Sequence, residues 1–326
     1  MPARIKKLQN WLQTELNIVN PQLTAITNDA SFRRYFRIII DGVSHIVMDA
    51  PPDKEDCRPF IDIANRLTTS GLNAPKIIAS NLTQGFLLLT DLGSQLYLES
   101  LDTTKVDKLY KDAINSLVTI QVKTTNDSLP IYNHTLLHNE MNLFTDWLVD
   151  KHLNLSLSKI QQAELATCFE LLSQSALSQP QVFVHRDYHS RNLIVTSHNN
   201  PGILDFQDAV IGPITYDLVS LLRDCYVNWP RKQLNEWLEY YHILIYQNGL
   251  VKSIAKDNFL RWFDWMGIQR HLKASGIFAR LYHRDGKSGY LKDIPRTLNY
   301  IVEVTADYPE LKYLHELVSK QILLKI

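Results

Sequence analysis

Three polar side chains follow two short apolar runs in the middle of the chain. Residues 182–184 form the first run, which leads into Asp187 and, five positions later, Asn192. Residues 203–204 form the second run and lead into Asp205. Short buried strands would hold such polar ends rigidly. Carboxylate and amide oxygens suit Mg²⁺, so these side chains could support phosphoryl transfer, which depends mostly on positioning and charge neutralisation.

The spacing suggests a separate role for each of these residues. Asp187 would accept or orient the proton of an attacking hydroxyl, while Asn192 and Asp205 would hold the metal. The segment matches the pattern His-Arg-Asp-x-x-x-x-Asn of kinase catalytic loops, and Asp205-Phe206 stands where kinases carry Asp-Phe-Gly. Aspartate and asparagine after a strand are more often turn formers. The depth of the match and the strands on both sides favour catalysis.

Neighbouring polar residues have competing explanations. We expect His185 to pack and hydrogen-bond behind the loop rather than carry a proton. His189 lies within the loop and either reaches the acceptor or is solvated. Asp217 opens an amphipathic segment after a Gly-Pro break. It either hydrogen-bonds the loop from behind or favours a helix N-terminus through the dipole.

These motifs resemble those of the aminoglycoside phosphotransferase family of kinases. The resemblance implies an α+β, protein-kinase-like fold with two lobes, together with ATP and Mg²⁺. We place the small β-rich, nucleotide-covering lobe at residues 1–92 and the larger, mainly helical lobe at residues 93–326. The larger lobe would carry the catalytic and acceptor-binding residues.

A narrower resemblance covers most of the chain. The sequence is similar to the bacterial branch of kinases that phosphorylate N-acetylmuramate and N-acetylglucosamine at the anomeric hydroxyl in cell-wall recycling. That likeness implies an amino-sugar acceptor. Its markers are residues 29–37, 47–52, 86–93, 263–273 and 276–286.

The predicted nucleotide site departs from the kinase pattern in two ways. The loop at residues 28–34 contains no glycine, although Ser31, Phe32, Arg33 and Arg34 could contact phosphate through hydroxyl, backbone and guanidinium groups. Alternatively, this loop is a polar hairpin turn whose two arginines are solvated. Thr90, Asp91 and Leu92 follow a strand and would form the hinge that holds adenine through backbone groups.

The second departure is the missing lysine of the third strand, where Met48 stands instead. Without it, Glu55 and Asp56 lack the partner that such helix carboxylates usually have. Either an arginine of the 31–37 segment replaces the lysine, or the protein binds nucleotide weakly and is a pseudokinase. The intact Asp187 and its two metal-ligand candidates argue for the first explanation.

The acceptor would be bound by residues of the larger lobe. Candidate contacts are His189, Asp224, Asp264 and Arg270, whereas Trp262 and Phe263 are expected in the core. The basic stretch at residues 270–292 does not suit a polycationic aminoglycoside. It suits the lactyl carboxylate of N-acetylmuramate better. An aminoglycoside or another hydroxyl metabolite remains the alternative acceptor.

Composition narrows the class of protein further. The chain has 326 residues, enough for two lobes, and 34 basic and 34 acidic residues give a formal net charge of +0. Balanced charge predicts no attraction to nucleic acid or to anionic membranes. Three widely spaced cysteines indicate neither a disulfide framework nor a metal site, which favours a cytoplasmic location. We expect a monomer whose partner is a small molecule.

Hydrophobic periodicity predicts the order of elements. A helix is expected over residues 1–20, followed by strands at 22–27, 35–40 and 45–49, with a hairpin turn at Asp41-Gly42. A helix at 56–70 ending at Gly71 and a strand pair at 77–79 and 86–89 complete the small lobe. The remainder is predicted to be mostly helical apart from the strands around the catalytic loop.

Overall fold

The computed structural model describes residues 2–26 and 32–326 and divides into two compact units. Unit 1 contains the chain up to Leu96 together with Asn192–Asp208, and unit 2 contains Tyr97–Arg191 and Ala209–Ile326. The units differ in two respects from the predicted lobes: unit 1 runs to Leu96 rather than to residue 92, and it also contains residues 192–208. The functional division at residue 92 stays a prediction.

Unit 1 is built on an antiparallel sheet with the strand order β1-β2-β3-β5-β4. The helices that accompany it are α1 (Pro2–Thr14) and α2 (Arg58–Thr69). A short hairpin, β7–β8, belongs to the same unit. The strands are β1 (Thr24–Ile26), β2 (Arg34–Ile40), β3 (Val43–Asp49), β4 (Ile77–Asn81), β5 (Phe86–Thr90), β7 (Leu193–Ile194) and β8 (Gly202–Ile203).

Helix α1 covers one face of this sheet. Its apolar stripe, Leu8, Trp11 and Leu12, packs on Phe36 of β2 and Phe86 of β5. Strict alternation along β2 places its even-numbered residues on this face. Burial of this cluster removes large apolar side chains from water, which is the main force that fixes α1 on the sheet.

Most element boundaries agree with the sequence, and the end of the first helix is the main correction. Helix α1 stops at Thr14 rather than near residue 20, because Asn17 and Asn20 adopt left-handed backbone angles, with φ of 55° and 47°. The hairpin turn at Asp41-Gly42 is confirmed, since both residues have the positive φ that a type I′ turn requires. The predicted end of β1 at Thr27 lies outside the described residues.

Unit 2 is mostly helical and contains one short antiparallel pair, β6 (Gln181–Val184) with β9 (Val210–Pro213). Short 3₁₀ and π segments extend or join its helices. The helices are α3 (Tyr97–Ser100), α4 (Val106–Lys123), α5 (His134–Leu143), α6 (Lys159–Leu177), α7 (Tyr216–Leu222), α8 (Arg231–Gln247), α9 (Lys256–Asp285), α10 (Ile294–Thr305) and α11 (Lys312–Leu317).

Helix α9 runs through the centre of unit 2 and is buried along most of its length. Phe263, predicted to lie in the core, is fully buried there. At Gly276 the helix approaches the backbone of Leu143 so closely that a Cβ atom would lie 2.2 Å from the carbonyl carbon. Only glycine allows this approach, which brings α9 against the end of α5. In the described part of the chain, no helix has the length and apolarity to cross a bilayer.

Candidate active site

The predicted catalytic loop follows β6 in unit 2, and its first residues are held from behind by Asp217. The buried Asp217 carboxylate accepts hydrogen bonds from the backbone N–H groups of His185 and Arg186, at 2.7 and 2.9 Å. Of the two roles considered for Asp217, these hydrogen bonds favour holding the loop over stabilising a helix N-terminus. Burial raises the pKa of Asp217 to about 7, although the two N–H donors favour the charged form.

A second buried carboxylate anchors the far end of the loop. Asp224, just beyond α7, accepts from the backbone N–H of Ser190 at 3.0 Å and from its hydroxyl. Its other oxygen accepts from the N–H of Tyr226. The Tyr188 hydroxyl donates to the carbonyl of Ala113. The loop is therefore fixed at both ends before any ligand binds, which is the preorganisation that catalysis requires.

A buried ion network lies beneath Arg186. This residue has a left-handed φ of 78°, which is unusual for a long side chain and occurs most often at functional sites. Its guanidinium pairs with Glu140 of α5, and Glu140 also lies 3.0 Å from Nζ of Lys273 on α9. Lys273 in turn donates to the hydroxyl of Tyr216. This network holds the strained residue next to Asp187.

Asp187 is partly buried and surrounded by positive charge. Burial alone would raise the pKa of this carboxyl, but Lys273, His189 and Arg270 outweigh that effect, so the pKa lies below its ordinary value. Asp187 is therefore ionised at neutral pH. The backbone N–H of Asp187 donates to Nδ1 of His185 at 3.2 Å, which gives His185 the structural role expected from the sequence.

The two predicted metal ligands lie together in unit 1. Nδ2 of Asn192 is 3.4 Å from Oδ2 of Asp205, and the backbone N–H of Leu204 donates to the carbonyl of Asn192. Asp205 is exposed, has a left-handed φ of 60°, and also accepts from Gln207 at 2.9 Å. Hard oxygen donors of this kind fit Mg²⁺. Asn192 would turn its amide oxygen toward the ion, since amide orientation follows the available partners.

Arg33 lies beside Glu55, the carboxylate that was expected to lack a lysine partner. Its guanidinium lies 2.8 Å from Glu55, so this carboxylate does have a basic partner. Met48 is fully buried opposite Tyr35 in the β2–β3 ladder. Burial raises the pKa of Tyr35, and the charges of Arg33, Asp205 and Glu55 also act on that hydroxyl. Arg33 and Asp205 therefore act on the same side chain within unit 1.

Arg34, the first residue of β2, has a different partner from Arg33. It pairs with the buried carboxylate of Asp49, which also accepts from Arg4 of α1 at 2.6 Å. The predicted phosphate contact through Arg34 is therefore withdrawn, because this side chain faces α1. Phe32 is 64% exposed. Ser31 lies outside the described residues.

The predicted hinge follows β5. The backbone N–H of Thr90 donates to the carbonyl of Lys76, so it is already used within the sheet. Asp91 pairs with Arg37 at 2.6 Å and accepts from Ser44 and from the N–H of Gly93, which gives its side chain a structural role. Adenine contact through the backbone of Asp91 and Leu92 remains a prediction.

The four predicted acceptor contacts fall into two groups. Asp264 is buried, and its carboxylate pairs with Arg223 at 2.6 Å and accepts a hydrogen bond from the hydroxyl of Tyr308. We therefore withdraw it as a substrate contact. Asp224 anchors the loop, as described above, and is also fully buried. His189 and Arg270 instead act electrostatically on Asp187, and burial lowers the pKa of His189.

Several residues around the loop could not be recognised from the sequence. The buried network of Glu140 and Lys273 joins segments far apart in the chain. Arg191 lies over the rings of Tyr226 and Tyr290, with centroid distances of 4.8 and 5.6 Å. No local spacing connects these positions, so only the fold could bring them together.

Solved structures of low sequence identity share this fold. Choline kinase LicA from Streptococcus pneumoniae aligns with a TM-score of 0.64 at 11% identity, over 92% of this chain and 99% of that one. The GDP complex of wild-type aminoglycoside 2'-phosphotransferase-IIIa aligns with a TM-score of 0.61 at 15% identity, over 93% of this chain and 98% of that one. The predicted α+β, protein-kinase-like fold is confirmed.

Curated relatives match nearly the whole chain. The N-acetylmuramate/N-acetylglucosamine kinase of Pseudomonas putida is 44% identical over 98% of this chain and 96% of its own length. The enzyme of the same name from Neisseria meningitidis is 41% identical over 97% of this chain and 95% of its own. The profile of the phosphotransferase enzyme family matches residues 22–250. The chain belongs to this family, within the branch that contains these curated kinases.

Proposed function

We propose that this protein transfers the γ-phosphoryl group of ATP to the anomeric hydroxyl of N-acetylmuramate or N-acetylglucosamine. The observation that carries the proposal is the near-full-length similarity to kinases named for these two sugars. The ionised Asp187 supports it, because an acceptor hydroxyl needs a proton acceptor. As part of the same proposal, the reaction takes place in the cytoplasm and the protein acts as a monomer.

Each proposed role follows from the chemistry of one side chain. Asp187 orients the anomeric O–H and takes its proton as the new O–P bond forms and the bond from the γ-phosphorus to the β–γ bridging oxygen breaks. Asn192 and Asp205 would hold Mg²⁺, which neutralises phosphate charge when bound. Arg33 would supply the positive charge that strand-three lysines supply in other kinases.

A panel of acceptors tests the proposed reaction. With Mg-ATP, ADP release is expected with N-acetylmuramate and N-acetylglucosamine and only at background level with kanamycin or choline. The 1-O-methyl glycoside of N-acetylglucosamine provides the sharpest control. It keeps every other hydroxyl but blocks the anomeric one, so it should not be phosphorylated.

Other outcomes would identify other functions. Phosphorylation of the methyl glycoside would place the reaction at another hydroxyl. Turnover of kanamycin without turnover of N-acetylmuramate would indicate an aminoglycoside kinase. Weak Mg-ATP binding with no acceptor-dependent ADP release would indicate a pseudokinase.

Arg270 is the proposed determinant for the lactyl carboxylate of N-acetylmuramate. Its side chain is buried in unit 2, and its hydrogen-bond contact is with Sγ of Cys225 at 3.8 Å, a weak acceptor. Cys225 and Tyr216, followed by Asp187 and Asp224, raise the pKa of this guanidinium against the effect of burial, so it stays charged. A charged hydrogen bond to substrate is worth about 1.5–3 kcal/mol.

The variant Arg270→Met should therefore discriminate between the two sugars. We expect the ratio of kcat/KM for N-acetylmuramate to that for N-acetylglucosamine to fall by about tenfold or more. Because only N-acetylmuramate carries the carboxylate, the ratio cancels any general effect on Asp187. Arg284→Met, at the exposed end of α9, is the matched control and should leave the ratio unchanged. An unchanged ratio in Arg270→Met would remove this residue from the acceptor site.

A further inference from the structure

A second group of potential metal ligands lies at the start of α5, in a part of unit 2 that the proposed reaction does not use. His134 and His138 are one helical turn apart, and Glu170 projects from the neighbouring helix α6. Nε2 of His134 lies 2.8 Å and Nε2 of His138 lies 3.4 Å from Oε2 of Glu170. One donor atom from each residue lies within 4.8 Å of the others.

We propose that His134, His138 and Glu170 bind a single transition-metal ion of the Zn²⁺ type, separate from the Mg²⁺ of phosphoryl transfer. Two imidazoles with a carboxylate form a ligand set found in zinc enzymes. Imidazole nitrogen favours Zn²⁺, Ni²⁺ or Cu²⁺, whereas Mg²⁺ and Ca²⁺ favour oxygen. A water molecule would complete a tetrahedral shell, as in other three-ligand sites.

The spacing of the donor atoms is close to what such an ion requires. With metal–ligand bonds of about 2.0–2.1 Å, donors in a tetrahedral shell lie about 3.3 Å apart. The distance between His138 and Glu170 already has this value, at 3.4 Å. The 2.8 Å contact between His134 and Glu170 is a hydrogen bond, which the ion would replace after a small opening.

The state of His138 also favours metal binding. Its Nε2 atom is shielded from solvent and makes no hydrogen bond within residues 2–26 and 32–326. The ring of His134 stacks on that of His138 at a centroid distance of 4.2 Å, which holds the two imidazoles side by side. A shielded nitrogen that faces a carboxylate without bonding it is costly unless a ligand arrives.

An ion here would link α5 to α6. Helix α5 also carries Glu140, whose pairs with Arg186 and Lys273 support the residue next to Asp187. Because the ligands come from two helices, the ion would bind the folded chain in preference to the unfolded chain. Binding would then raise the stability of unit 2 by mass action.

Calorimetric titration of the EDTA-stripped full-length protein with ZnCl₂, in excess MgCl₂, tests the proposal. We expect one high-affinity site per chain that Mg²⁺ does not block. His134→Ala, His138→Ala and Glu170→Gln should each weaken Zn²⁺ binding by roughly tenfold or more. None of these residues belongs to the proposed catalytic machinery, so Mg-ATP turnover of the variants with N-acetylglucosamine shows that they are folded.

His283→Ala is the matched control. His283 pairs with His152 at 3.1 Å, but these two histidines have no third ligand among the residues described in the structure. This variant should bind Zn²⁺ like the wild type. ZnCl₂ should also raise the melting temperature of the wild type and not that of the His134→Ala/His138→Ala double variant. Equal Zn²⁺ affinity in wild type and double variant, or no high-affinity site in the wild type, would overturn the proposal.

Discussion

Replacing Asp187 with asparagine is expected to lower kcat by about 10²–10⁴-fold, the range of a positioned proton acceptor. Asparagine keeps the size and the hydrogen-bonding oxygen of the side chain but cannot take a proton. Asp217 and Asp224 hold the backbone at both ends of the loop, so the loop should keep its conformation. Affinity for Mg-ATP, measured by equilibrium binding, should change little.

Asp127→Asn provides a matched control, because Asp127 is an exposed carboxylate of the same unit. Its kcat should equal that of the wild type. If Asp187→Asn retained wild-type turnover, Asp187 could not be the proton acceptor. If it lost nucleotide affinity as well, its main role would be in binding.

The pH dependence of kcat gives a second test of Asp187. Its pKa is lowered in the folded protein, because the cations around it outweigh burial. The ionised, active form should therefore persist from neutral pH down to pH values below the ordinary aspartate range. We therefore expect kcat of the wild type not to fall near pH 5 through protonation of Asp187. The Asp187→Asn variant should accordingly remove no such decline. An acidic limb at pH 6 that this variant abolished would show that the pKa is raised instead.

The catalytic loop was predictable because its information is local. Asp187, Asn192 and Asp205 are recognised by type and spacing along a short stretch, with apolar strands on both sides. Asp217 was also identified, but sequence could not decide between loop support and helix dipole. That choice depends on which N–H groups face the carboxylate, and only the packing of α7 against the loop settles it.

The remainder of the site depends on long-range packing. Glu140 and Lys273 meet at 3.0 Å although they lie far apart in the chain, and neither stands out in its own helix. Asp264 was proposed as a substrate contact from its aromatic and polar surroundings. It proved to be buried against Arg223 because α9 is buried on nearly all sides. A charged residue in a helix gives no sign of which neighbour will neutralise it.

The arginine pair shows this limit most clearly. Arg33 and Arg34 are adjacent and chemically identical, so the sequence alone cannot tell which of them would contact phosphate. Side chains alternate across a strand, and Arg34 is the first residue of β2, so the register of this strand decides its face. The register pairs Arg34 with Asp49 and Tyr35 with Met48. Arg34 therefore faces α1, whereas Arg33, just before the strand, pairs with Glu55.

The pairing of Arg33 with Glu55 predicts a strong effect of the Arg33→Met variant on nucleotide use. We expect kcat/KM for Mg-ATP to fall by about 10²–10³-fold, as when one preorganised donor to a developing negative charge is removed. Both a higher KM for ATP and a lower kcat should contribute, because phosphate charge is present before and during transfer. Steady-state kinetics at saturating N-acetylglucosamine measure the two parameters separately.

Two further variants separate the role of Arg33 from a general loss of charge. Arg33→Lys keeps the charge but not the planar fork, so it should fall between wild type and Arg33→Met. Lys54→Met removes a largely exposed cation of the same unit and should behave like the wild type. Glu55 holds Arg33 in the way that a helix carboxylate holds the strand-three lysine of other kinases. Glu55→Gln should therefore change kcat and the KM for ATP in the same direction as Arg33→Met, but to a smaller extent. Wild-type kinetics in Arg33→Met would show that Arg33 does not replace the missing lysine. A replacement would then have to be sought near Met48.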